Sequence, residues 1–103
     1  MKNIRTEGLE WRDKVNGNSY FSARAYVDGE LVAVLPFQYG YGDHYVDVAW
    51  QVITKRLGLD VEHYQNGGME RMWQWCQERN IDYSSIKHTA LKREVVKFGT
   101  EVK

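Results

Sequence analysis

The side chains best able to do chemistry gather in one stretch, FQYGYGDHYVDVAW, where Tyr39, Tyr41, His44 and Tyr45 crowd around Gly40 and Gly42. Rings with polar tips suit recognition, and Trp, Tyr and Arg dominate the energetics of protein interfaces. Arg24 on the preceding strand and Trp75 further along join these four as the predicted binding residues. Tyr64 is a further candidate for an exposed aromatic.

Other residue groups point less far. Cys76 would need a nearby base and an electropositive, open setting to act as a nucleophile. It falls instead on the apolar stripe of a predicted helix, where a free cysteine behaves as a small hydrophobe. His44, His63 and His88 are nowhere three or four residues apart, and there is no cysteine pair, so the spacing of a zinc site is missing. Asp43, Asp47, Asp60 and Glu62 scatter along polar segments. Gly40-x-Gly42 before a helix is a partial phosphate-loop pattern. It has no third glycine and no Lys-Ser/Thr, and Asp43 would repel an anion; the glycines serve a tight bend. No catalytic residue, metal ligand or cofactor is assigned, and the expectation is a protein that is not an enzyme.

The elements that must hold the aromatic bend follow from local pattern. Residues 2–12 alternate weakly and predict an edge strand containing Ile4 and ending near Leu9–Trp11. DKVNGN is a turn by composition. Asp28-Gly29 predicts a type I′ hairpin between strands 19–27 and 31–39. A two-residue loop there would pair Val27 with Glu30, Ala25 with Val32, Ala23 with Val34 and Phe21 with Pro36. That register sets Tyr20, Ser22, Arg24 and Tyr26 on one face with Leu31, Ala33, Leu35 and Phe37. Pro36 cannot donate to a ladder and marks an edge, a strand end or a bulge.

Val46, Ala49, Trp50, Ile53 and Leu57 recur at helical spacing, with Asp43 as the N-cap, Lys55 and Arg56 in the last turn and Gly58 at the stop. LDVEHYQNGG connects to a second helix over 69–79, where Met69, Met72, Trp73 and Cys76 share a face and Trp75 lies off it. Asn80 ends that helix. The tail supplies one or two strands, broken at Thr89-Ala90, with Val95, Val96 and Phe98 in the last.

Composition bounds the rest. A chain of 103 residues predicts a single domain spanning 1–103. Four Trp, seven Tyr and three Phe argue for order. The formal net charge of zero argues against a generic polyanion binder. Charge is nonetheless uneven, since Lys87, Lys92, Arg93, Lys97 and Lys103 make the C-terminal segment basic. A lone cysteine fits a reducing compartment. No apolar run reaches the length of a membrane span, and MKNIRTEGLEW lacks a secretory apolar core.

FQYGYGDHYVDVAW, the following WCQERNI and the closing KREVVKF resemble small accessory proteins encoded by bacteriophages. The resemblance covers residues 20–98 and carries no functional residues over. It implies the host bacterial cytoplasm and a binding role in host takeover or inhibition of a host defence.

The expected architecture is α+β, an antiparallel sheet of three to five strands with two helices packed on one face. The leading functional expectation is a non-enzymatic binding protein acting on a host protein. The alternative is a single-stranded nucleic-acid-binding module that uses a Tyr-rich sheet face and the basic C-terminal segment. A small-molecule sponge with the Tyr39–Tyr45 bend as its pocket is a third option. A homodimer is compatible with all three, and no membrane association is expected.

Overall fold

The computed structural model describes residues 2–40, 42, 44–58 and 68–100. In chain order the elements are β1 (Asn3–Asp13), β2 (Asn18–Val27), β3 (Glu30–Tyr39), α1 (His44–Leu57), α2 (Gly68–Glu78), β4 (Asp82–Thr89) and α3 (Lys92–Phe98). The fold class is α+β, as expected. The sheet has the order β3-β2-β1-β4.

Two tight hairpins build the first three strands. Asp13 accepts backbone bonds from Val15 and Asn16 and a side-chain bond from Asn16 Nδ2, while Gly17 takes a positive φ. Asp28 and Gly29 both have positive φ, as a type I′ turn requires. The Asp28 carboxylate also accepts from the Lys2 and Asn3 amides, tying the turn to the start of β1. These bonds, Asn3 first, hold its carboxyl below the ordinary aspartate range.

Three expectations about the sheet are corrected. First, it is mixed, because β4 runs parallel to β1. The chain crosses from β3 through α1 and α2 before β4, and the Asp82 amide donates to Lys2 O at the start of β1. Such a crossover is what parallel pairing demands. Second, β1 is not an edge; it lies between β2 and β4. Third, two register shifts interrupt the β2–β3 ladder. Ala25 pairs with Ala33 rather than Val32, and Ala23 with Leu35 rather than Val34. Ala33 and Leu35 therefore turn into the core, away from Arg24. The second shift, at Pro36, returns Phe37 to the face of Tyr20.

One face of the sheet carries the core. Phe21, Ala23, Ala25, Ala33 and Leu35 meet Val46, Ala49, Trp50 and Ile53 of α1. The small alanines let α1 approach closely enough to bury Trp50 completely. Gly58 closes α1 with a positive φ. The predicted cap Asp43 lies outside the described residues.

Helix α2 adds Met72, Trp75 and Cys76 to that core, and the Trp75 ring packs on Trp50 at 5.8 Å between centroids. It ends in a Schellman motif, with Ile81 N–H donating to Cys76 O and Asn80 N–H to Gln77 O, and with Asn80 at positive φ.

The predicted last strand is a helix. In α3, Val95 is buried and Val96 and Phe98 follow at helical geometry. Glu94 starts the helix by accepting the Leu91 amide through its carboxylate, in the manner of a capping box. The helix lies on the second face of the sheet, where the Ser22 hydroxyl donates to Val95 O. The sheet thus has helices on both sides rather than one.

Candidate binding surface

The predicted site does not assemble as one cluster. Tyr41 and Tyr64 lie outside the described residues. Tyr45 is a correction, since it is buried with its ring against Gly8, so closely that a Cβ on Gly8 would sit 2.9 Å from it. Trp75 is a second correction. It is only 5 % exposed, whereas Trp73, assigned to the buried stripe, is 53 % exposed. The spacing Met72, Trp75, Cys76 is itself i, i+3, i+4, and Trp75 is the ring that reaches Trp50. His44 is exposed at the start of α1 and meets the Phe21 ring edge-on.

Arg24 serves the architecture. Its Nε donates to Phe98 O, and its guanidinium lies 4.3 Å from the Phe98 ring centroid. It clamps the end of α3 to β2.

Tyr39 is exposed, as a contact residue must be. It is 58 % exposed at the end of β3, with its ring edge-on to Tyr20 at 5.9 Å. Tyr20 in turn stacks on Phe37 at 5.2 Å and on Trp11 at 5.7 Å, and Trp11 and Phe37 are 6.5 Å apart. Three strands thus contribute four rings to one corner of the second face. Trp11 and Tyr20 are direct partners across β1 and β2, the arrangement in which cross-strand rings meet. Each such pair contributes roughly 0.5–1.5 kcal/mol beyond the area it buries.

Trp11 was missing from the predicted site. The alternation Leu9, Trp11 on β1 carries the signal, but the weak pattern over residues 2–12 predicts only an edge strand. Lys92 completes the corner from α3, with its ammonium 5.2 Å from the Trp11 ring centroid.

The rings of this corner hold one another, which restricts their rotamers. A base-stacking platform needs free ring faces. Here Trp11, Tyr20 and Phe37 turn against one another, and Tyr39 is the ring that projects. Arg5, over the Tyr26 ring at 4.7 Å, occupies the other tyrosine of this face.

Elsewhere the titratable groups have structural settings. Cys76 is buried, and desolvation pushes its thiol up to about 11, which removes the thiolate that nucleophilic chemistry requires. Burial likewise raises the Tyr83 phenol above its ordinary value. Among the described residues no three His, Cys, Asp or Glu side chains come together as a metal site. No described helix is long and apolar enough to cross a membrane. No protein-family model, curated protein or solved structure matches the chain.

Proposed function

We propose that this chain is a non-enzymatic binding protein whose target is a host protein, engaged through the Trp11–Tyr20–Phe37–Tyr39 corner. The observation that carries the reading is Tyr39, 58 % exposed on a base of three rings that are already packed. A projecting tyrosine on a rigid apolar base is the form that interface hot spots take. Cys76, buried and with its thiol raised, supports binding over nucleophilic chemistry. A role in host takeover or in inhibiting a host defence is the biological setting that we attach to this reading.

The nucleic-acid alternative has one favouring observation. Lys92, Arg93 and Lys97 belong to the helix that packs on the same face, and Lys92 reaches Trp11. Against it stand the mutual packing of the rings and the zero net charge. Capture from bacterial lysate, paired with titration of single-stranded oligonucleotides at several salt concentrations, separates the two. The protein-binding reading expects a specific protein partner and at most weak oligonucleotide binding. Tight oligonucleotide binding that falls steeply with salt, and no protein partner, would overturn it.

A further inference from the structure

The two edges of the sheet are built differently. Edge strand β3 is blunted by Pro36 and two register shifts, devices that discourage another strand from pairing. Edge strand β4, DYSSIKHT, has neither. Its eight residues pair with β1 without a shift, six of them are exposed, and among the described residues no strand pairs with its other side.

The ladder shows which backbone groups face outward. The Asp82 amide donates to Lys2 O and the Ala90 amide to Glu10 O, so the even-numbered residues turn their N–H and C=O toward β1. Along a parallel strand these groups alternate sides. Tyr83, Ser85, Lys87 and Thr89 therefore direct their backbone N–H and C=O to the outer edge.

We propose that the outer edge of β4 pairs antiparallel with β4 of a second copy of this chain, joining two four-stranded sheets into one continuous sheet. Self-complementarity selects the second copy and the antiparallel sense. In that arrangement the outward backbone donors and acceptors of one strand meet those of the other, and the exposed Ile86 of each strand meets its own symmetry mate. Lysine on an edge usually repels another strand. The Lys87 ammonium is instead drawn onto the core side, donating to Gly42 O at 2.9 Å and pairing with Glu10 at 3.5 Å.

The register follows from the faces. A two-fold axis that leaves strands antiparallel keeps each face continuous, so opposed residues must belong to the same face. Centring on Ile86 engages all four outward residues, with Ser85 opposite Lys87 of the second copy and Tyr83 opposite its Thr89. It also lays Ile86, 46 % exposed, against its own symmetry mate. Ser84 then faces His88, and Asp82 lies diagonal to it. This edge is separate from the Tyr39 corner, so the pairing goes beyond the proposed function.

Sedimentation of the purified chain at micromolar to millimolar concentration tests the proposal. The expected result is a particle of twice the 12.1 kDa chain mass. Ser85→Pro removes an outward donor while leaving the β1 ladder intact, so it is expected to give a folded monomer. Ile86→Cys is expected to form an intermolecular disulfide on mild oxidation, and Val15→Cys at a hairpin tip is not. Cys76 stays out of that reaction because it is buried. A wild-type monomer throughout, or a dimer that persists in folded Ser85→Pro, would overturn the pairing. Should Ser85→Pro fail to fold, the cysteine pair decides: cross-linking no faster at position 86 than at 15 overturns it. Loss of the dimer with partner capture intact would separate this claim from the Tyr39 reading.

Discussion

Strand β2 feeds two faces that differ in kind. Phe21, Ala23 and Ala25 point to the buried core under α1 and α2. Tyr20, Ser22, Arg24 and Tyr26 point to a face where a seven-residue helix covers the middle and rings occupy the corner. On the first face small residues make room for a large one, Trp50. On the second, polar groups fix a short helix, and aromatics pack with one another and under cationic side chains. The first face buries its large side chains, while the second leaves Tyr39 standing out. That asymmetry separates the buried core from the surface to which the proposed recognition is assigned.

Substitutions should divide along the same line. The largest effect is expected in the core. Trp50→Ala removes a fully buried ring shared by α1, α2 and the sheet, and should cost about 3–5 kcal/mol in urea unfolding. A cost below that of Tyr20→Ala would break the claim that the α1 face carries the stability. Next comes the seam beneath α3. A Cβ on Gly99 would meet Ser22 Cβ at 2.8 Å and Phe37 N at 2.9 Å, so Gly99→Ala should destabilise by about 1–3 kcal/mol. Thermal melts of that variant show whether α3 is docked as tightly as these distances imply.

Cysteine reactivity sharpens the comparison without a mutation. With its thiol near 11, Cys76 should resist a thiol reagent at pH 8 in the folded protein and react fully in denaturant. Fast labelling of the native chain would mean that the core face opens.

The smallest stability change should come from the Asp28 turn. Its carboxyl is held below its ordinary value of 3.8 by the Asn3 and Lys2 amides. The charged form therefore favours the fold above the unfolded-state value, and that contribution is lost as pH falls through the lower folded value. Asp28→Asn keeps the left-handed turn and should flatten the acid limb of the stability profile. An unchanged acid limb would remove these bonds from the account.

What could be read from the chain follows how local each determinant is. Asp28-Gly29 dictates its own turn through φ, and α1 carries its stripe and stop within fifteen residues. The direction of β4 depends on a crossover through two helices and left no local trace. Val95, Val96 and Phe98 favour strand by composition, yet Glu94 bonding back to Leu91 and Val95 docking on Ser22 make them helical. One register shift, between Tyr26 and Ala25, moved Ala33 and Leu35 to the core, and a second returned Phe37 to the Tyr20 face, which a count from the turn does not register. At the candidate site, Tyr39 was legible as an end-of-strand aromatic before a glycine bend. Trp11 was not, because its contact with Tyr20 depends on β1 being an inner strand. Tyr45 and Trp75 misled because a helix start and a helix stripe look alike until their neighbours are known.

The most direct test of the central claim is quantitative capture of the bound host protein by wild type, Tyr39→Ala and Trp73→Ala, each first shown to be folded. Trp73 is the control, an exposed ring on α2 outside the Tyr39 corner. Tyr39→Ala is expected to lower affinity by roughly 30-fold or more, as a hot spot does, with stability nearly unchanged. Trp73→Ala is expected to bind as wild type does. Equal capture by Tyr39→Ala and wild type, or loss only in Trp73→Ala, would contradict the account.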